Sequence, residues 1–323
     1  MNHLQPAKTV TYAFCTYNRA GRLAKLLSAI RSQTCPAPFE ILVVNNNSSD
    51  QTTEVLEELC ALPGIRLRWV TEPEPGIVAA RNRCLNEAID SDILVFIDDD
   101  EIPQPGLLEA AYDAIVNEGA DCAGGRVFVD FDDLNRPEWL KDELLGFLAE
   151  TDYGDEPFWI SDKQTPLWTA NIAYNMRLFR DNPHLRFDKR YDRVGKAVGG
   201  GEDVIMFDAL LAADCRIRYR PDMVVLHSVE AWRLKRRYFL KLHFVSGYKN
   251  AYNQTAEFPR SYFGVPPFLI FKTIKLFSIW LTSALKSREI NIRKLMNFTH
   301  SSGLIFGYFK RWQQTELDSD NQS

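Results

Sequence analysis

Between residues 8 and 100, short runs of β-branched and aromatic residues alternate with longer stretches of helical period, and each short run stops at polar residues. The pattern predicts strands at "TVTYAFCTY", "FEILVVNNN", "IRLRWVTEP" and "DILVFIDDD", with helices at "AGRLAKLLSAIRSQ", "DQTTEVLEELCAL" and "GIVAARNRCLNEAID" between them. Strands separated by helices need crossover connections, which yield a mostly parallel sheet covered on both faces. Ligands of such sheets bind beyond the carboxyl ends of the strands. Those ends carry Thr16, Tyr17 and Asn18 after the first strand, Asn45 to Asn47 after the second, and Asp98, Asp99 and Asp100 after the fourth.

From about residue 120 to 230 the cadence loosens into shorter strand candidates, "CAGGRVFVDF", "LWTANIAYN" and "IRYRPDMVVLHSV", with a helix at "EDVIMFDALLAADC" after a glycine run. Beyond 230, "AWRLKRRYFLKLHFVSGYKNAYN" and "PFLIFKTIKLFSIWLTSALK" read as amphipathic helices. In the second, Lys272, Lys275, Ser278, Thr282 and Lys286 form a polar stripe, and the lysines argue against a membrane span. The last nine residues read as disordered. The 323 residues, 46% hydrophobic, suffice for a large core. Six scattered cysteines suggest neither a disulfide framework nor a zinc site, and the N-terminal stretch does not resemble a secretory leader, so a cytoplasmic address is expected. Charge is uneven: residues 1–215 hold 20 Lys and Arg against 36 Asp and Glu, whereas 216–314 hold 18 against 4. A basic C-terminal third suggests an anionic partner or only a solvated helical surface; the overall pI near 5.7 and the lack of a recognised motif argue against nucleic acid.

Four clusters carry chemistry. Asp98 and Asp100, two apart at a strand end, point the same way if the extended backbone persists, and hard oxygen ligands suit Mg²⁺ or Mn²⁺; surface carboxylates capping the next helix are the alternative. In "VGGGEDVIMFDALL", Glu202 and Asp203 open a helix, where they are either dipole-favoured caps or a general base. His227 ends another apolar strand and can reach the edge that holds Asp100, although a lone histidine is often structural. Arg81, near a helix start, either holds phosphate or a base, or is a surface arginine.

The order of these clusters, with "CTYNRAGRLAKLLSAI", "ILVVNNNSSDQT", "GIVAARNRCLNEA", "ILVFIDDDEIPQPGLL", "GGRVF", "WTANIAYN", "GGGED" and "LHSV", resembles the inverting family 2 glycosyltransferases of the GT-A fold over roughly residues 8 to 230. The resemblance implies a Rossmann-like sheet flanked by helices and sugar transfer from a nucleotide-diphosphate sugar. It implies a catalytic domain over residues 1–230, with a nucleotide-sugar half at about 8–118 and an acceptor half at about 119–230. A basic helical extension would then occupy 231–314 and a tail 315–323. Cys15, Thr16, Tyr17 and Asn18 resemble the nucleotide cradle. Asn45 stands where many members have an aspartate that contacts uracil, which leaves the base open. Arg81 resembles the arginine near base and phosphates. Asp98 resembles the ribose-contacting carboxylate, with Asp99 beside it unassigned, while Asp100 and His227 resemble the groups that hold Mg²⁺ or Mn²⁺. Trp168, Thr169 and Asn171 match the segment lining donor sugar and acceptor, and Asp203, with Glu202 as its neighbour, resembles the catalytic base. A glycan or lipid-linked acceptor in cell-surface or extracellular polysaccharide synthesis follows, with an anionic membrane surface as a further partner. A non-catalytic sugar-nucleotide binder or scaffold would lack Asp100 or the acidic pair, and both are present. A phosphatase of the haloacid dehalogenase type would open its chain with the D-x-D, which here arrives at the fourth strand.

Overall fold

The computed structural model describes residues 8–132, 134–192, 201–253, 258, 260–286 and 291–320. Two compact units divide the chain: residues 1–135, 142–196 and 201–229 form the first, and 136–141, 197–200 and 230–323 the second.

In the first unit the strands β1 (Val10–Thr16), β2 (Phe39–Asn45), β3 (Leu67–Thr71) and β4 (Ile93–Ile97) alternate with helices α1 (Ala20–Arg31), α2 (Thr52–Cys60) and α3 (Ile77–Glu87). All adjacent pairs among these four strands are parallel, in the order β3-β2-β1-β4. β4 is buried along its whole length because both of its faces are covered: Ile93, Val95 and Ile97 enter one core cluster, Leu94 and Phe96 the other. Helix α1 buries Leu23, Leu26, Leu27 and Ile30, spaced to make one stripe.

The rest of the unit adds β5 (Glu101–Pro103), α4 (Leu107–Val116), β6 (Cys122–Asp130), β7 (Phe158–Ile160), β8 (Asn171–Asn175), α5 (Arg177–Asp181), α6 (Glu202–Ala212) and β9 (Ile217–Ser228). The sheet continues from β4 as β8-β6-β9-β5, with β7 also on β9; β8 lies antiparallel to β4 and β6, and β5 antiparallel to β9. The sheet is therefore parallel from β3 to β4 and mixed beyond β4. Between Gly125 and Arg126 the β6–β9 register jumps from Arg220 to Val224. A Cβ on Gly125 would lie 2.1 Å from the Met223 carbonyl oxygen, so this bulge requires glycine. Asn171 holds the bulge, its Nδ2 donating to the carbonyls of Arg126 and Met223, both at 2.9 Å.

The second unit contains α7 (Arg236–Asn253), α8 (Pro267–Lys286) and α9 (Ile292–Asp320). The expected disordered tail is corrected over residues 315–320, where α9 continues helical through Asp320, while 321–323 lie outside the described residues. Its acidic end, "TELDSD", contains no glycine or proline to stop a helix already nucleated by packing upstream. α7 and α9 pack backbone to backbone. A Cβ on Gly247 would meet the His300 carbonyl oxygen at 2.1 Å, and one on Gly303 the Phe244 oxygen at 2.1 Å. Gly303→Ala is therefore expected to lower stability by about 1–3 kcal/mol, although alanine is the better helix former. Gly21→Ala in α1, where nothing lies within 4 Å of the new atom, should raise it by roughly 0.5–1 kcal/mol. Urea unfolding of both variants checks the pair; a stabilised Gly303→Ala would contradict the close crossing.

Candidate active site

β2 lies on one side of β1 and β4 on the other, so the chain leaves in opposite directions from neighbouring strands and a crevice opens at their carboxyl ends. Here Thr16 Oγ1 donates to Asp99 Oδ2 at 2.8 Å, joining the ends of β1 and β4. The β1–α1 loop is braced by the β2–α2 loop: Asn18, at φ 53°, accepts on Oδ1 from the amides of Ser49 (2.7 Å) and Asp50 (3.2 Å). Tyr17 projects from this turn, 44% exposed. The Cys15 thiol instead turns under the sheet to lie 3.6 Å from Cys84 Sγ. Burial first, then Cys84, push its pKa well up, so Cys15 does not present a reactive thiolate. Asn45 is buried and occupied, accepting from Ser48 N (3.0 Å) and donating to Thr53 Oγ1 (3.1 Å).

The acidic run does not remain extended. β4 ends at Ile97, and the Asp98 carbonyl accepts from Glu101 N at 3.3 Å, closing a turn over Asp99 and Asp100. The expectation that strand alternation aligns Asp98 with Asp100 is thus corrected: Asp98 reaches Arg81, while Asp100 Oδ1 lies 3.5 Å from His227 Nδ1. Glu101 starts β5 directly opposite His227 on β9, fully buried, with Oε2 accepting from Asp98 N (3.0 Å) and Oε1 3.6 Å from His227 Nδ1. Its burial, in a position that sequence reasoning left without a role, follows from β5–β9 pairing across more than a hundred residues. No local signal marked it: a polar-apolar alternation in "EIP" would bury Ile102, whereas Glu101 and Pro103 are the buried pair.

Arg81 is the hub. Projecting from α3, it is 2% exposed. Nη1 donates to Glu202 Oε1 (3.0 Å) and Asp203 Oδ1 (2.7 Å), and Nη2 to Asp98 Oδ1 (3.0 Å). Phe187 lies beneath the guanidinium, its ring centre 5.6 Å away. Burial works against this charge, and Asp203, Asp98 and Glu202 hold it protonated. Glu202 and Asp203 open α6, as expected; Gly199 and Gly200 of the preceding glycine run lie outside the described residues. Glu202 is 5% exposed and also accepts from Gly201 N at 2.9 Å. Asp203 is the more open, with a side chain 25% exposed. Thr169 Oγ1 donates to the same Oδ1 that Arg81 holds, so Oδ2 accepts nothing from the described residues. Trp168 is half-buried beside Thr169, but Asn171, expected to line the sugar, is 1% exposed and spent on the sheet bulge.

This edge therefore holds the carboxylates of Asp98, Asp99, Asp100, Glu101, Glu202 and Asp203 against the guanidinium groups of Arg81 and Arg19, the latter 3.9 Å from Asp99. The excess of negative charge is visible in Asp99, whose pKa burial and then Asp100 push up to about 7. Burial, followed by Asp98 and Asp100, also pushes Glu101 well up. A dication relieves such pressure. Among the described residues no three Asp, Glu, His or Cys side chains are already gathered as a ligand set. The donors do fit Mg²⁺ or Mn²⁺ chemically, however: carboxylate oxygens, one imidazole and a buried Glu101 Oε1 that accepts no hydrogen bond from the described residues.

The sequence profile described as Glycosyl transferase family 2 matches residues 13–183, more than half of the chain. The chain belongs to this family. Glycosyltransferase AglE of Haloferax volcanii is 34% identical over 112 residues, 34% of this chain and 36% of AglE, so that match spans only about a third of the relative. Succinoglycan biosynthesis protein ExoM of Rhizobium meliloti is 26% identical over 232 residues, 69% of this chain and 70% of ExoM. Among solved structures, the mannosyltransferase PcManGT of Pyrobaculum calidifontis, in complex with GDP-Man and Mn²⁺, superposes with a TM-score of 0.57 at 17% identity, covering 94% of this chain and 87% of that one. GalNAc-T7 with UDP, GalNAc and Mn²⁺ gives 0.53 at 13% identity, covering 77% and 50%. The chain thus has the GT-A architecture. Its family match ends before Asp203 and His227, which the fold alone brings to the same edge.

Proposed function

We propose that this glycosyltransferase moves a sugar from a nucleotide-diphosphate donor, with inversion and with the help of Mg²⁺ or Mn²⁺, to a glycan or lipid-linked acceptor on the cytoplasmic face of a membrane. The observation that carries the reading is the Arg81 hub, which ties Asp98 at the end of β4 to Glu202 and Asp203 at the start of α6. It gathers a nucleotide-side carboxylate and a candidate base on one buried cation. The ExoM name supports an extracellular polysaccharide, and the contents of the PcManGT complex support a nucleotide sugar with a divalent metal.

In this reading Asp203 removes the acceptor hydroxyl proton through Oδ2, while Arg81 and Thr169 fix the carboxylate by Oδ1. Glu202, sequestered by Arg81 and Gly201, holds the arginine in place. Tyr17 and the braced β1–α1 loop take the nucleoside, with Asp98 near its ribose. Asp100 and His227 would hold the metal, which when bound neutralises charge on the departing diphosphate. Asp100→Asn is expected to weaken Mn²⁺-dependent donor affinity by at least the ~10- to 100-fold that loss of even an outer-shell partner costs a metal site. Calorimetric titration with and without EDTA reads this, and donor affinity indifferent to both would remove the metal from the account. Product analysis by NMR tests inversion: retention of the donor's anomeric configuration would rule out single displacement by Asp203.

A further inference from the structure

Helix α8 is long and apolar enough, by length and composition, to cross a bilayer, and almost none of it is buried. One face packs on α9: Leu269 and Thr273 are buried, Thr273 Oγ1 lies 2.7 Å from Ser301 Oγ, and Lys294 Nζ donates to Ser283 Oγ at 2.9 Å. At about 100° per residue, Ile270, Phe271, Ile274, Phe277, Leu281 and Leu285 share an arc of roughly 120° on the opposite side. All six are exposed, Phe271 at 72%, Ile274 at 58% and Leu285 at 78%. Thr282, Lys275 and Lys286 fall along one flank of that arc, Lys272 lies further round on the same side, Ser278 interrupts the arc beside Phe271, and α8 contains no acidic residue. Residues 230–314 hold 15 Lys and Arg against 3 acids.

We infer that α8 docks in the plane of an anionic lipid surface, its apolar arc in the acyl boundary and its lysines reaching the headgroups. An exposed arc of this width flanked by cations is the pattern of an interfacial helix, and lysine stems can lie along the apolar surface while their charges stay in water. Spanning is disfavoured because the packed face holds α8 to a helix carrying Arg293, Lys294, His300 and Lys310, which would enter hydrocarbon with it. A symmetric contact between two copies of this face would set lysine flanks close together, so charge favours lipid over a second copy. Such docking would keep the enzyme where a lipid-linked acceptor lies; that last step rests on the acceptor proposed above.

Flotation of the full chain with vesicles of phosphatidylcholine, alone or mixed with equal phosphatidylglycerol, tests the surface. Binding is expected to the anionic vesicles only, weakening as salt is raised. Lys272→Ala/Lys275→Ala/Lys286→Ala should lower partitioning on the order of a hundredfold at low salt, and Phe271→Glu/Ile274→Glu by roughly a hundredfold or more. Undiminished binding of the Phe271→Glu/Ile274→Glu variant, or retention on the vesicles after a high-salt and alkaline carbonate wash, would overturn in-plane docking. So would absence of vesicle binding together with a dimer, seen by ultracentrifugation, that the same variant dissociates. Donor-induced thermal stabilisation of the variants is read in parallel: if it persists while docking fails, the transfer site stands and only the surface assignment falls.

Discussion

Arg81→Met is expected to destabilise the first unit by about 3–5 kcal/mol, the usual cost of removing one partner from a buried ionic cluster. Methionine restores much of the volume, so the loss is electrostatic rather than a cavity. Glu202, 5% exposed, would be left buried with its principal cation gone, and Asp98 and Asp203 would lose the group that draws them together. Arg81→Lys should recover only part of the loss. One ammonium cannot serve three carboxylates from two nitrogens of a planar fork. Urea unfolding at constant slope gives the number directly; a midpoint shift worth less than about 1 kcal/mol would mean that the carboxylates are accommodated without Arg81.

Asp203→Asn is expected to lower the transfer rate by ~10²–10⁴ while leaving donor binding unchanged. That range corresponds to roughly 3–5 kcal/mol on the barrier. The substitution is nearly isosteric, and its carbonyl oxygen can still accept from Arg81 and Thr169, so the hub survives and only basicity is removed. The matching change at the neighbour, Glu202→Gln, weakens a buried ion pair and should appear first in stability. If the asparagine variant transfers at close to the native rate, or if only the Glu202 variant is inactive with its fold intact, the base has been misassigned.

The parallel part of the sheet, β1 to β4 with its helices, was legible because its determinants are local. β4 is apolar at every position since both faces are covered, and α1 repeats its leucines at helical spacing. The acidic turn was less so. Whether Asp98 to Asp100 stay extended is decided by Glu101 pairing with His227, a contact that local periodicity does not encode. Likewise Arg81 read either as a phosphate- or base-holding group or as a surface arginine, and neither reading contained α6, which about 120 residues later brings Glu202 and Asp203 against it. Asn171 matched a sugar-lining segment by position, yet the bulge beside Gly125 claims its amide. α9 lay largely inside the expected helical extension, yet its own bounds were not legible, because serines, threonines and Gly303 and Gly307 lower helix propensity. Those same small residues permit its crossing with α7, where packing overrides propensity.

The central claim, that this edge binds a nucleotide-diphosphate sugar through a metal, is tested most directly by thermal unfolding against a panel of uridine and guanosine diphosphate sugars, each with and without Mn²⁺. Ligand at a hundredfold excess over its Kd adds about 2.7 kcal/mol, a shift that is readily seen. The account predicts stabilisation by one donor, present with Mn²⁺ and lost in EDTA or in Asp100→Asn. A folded protein that no donor stabilises, with or without the metal, would contradict it.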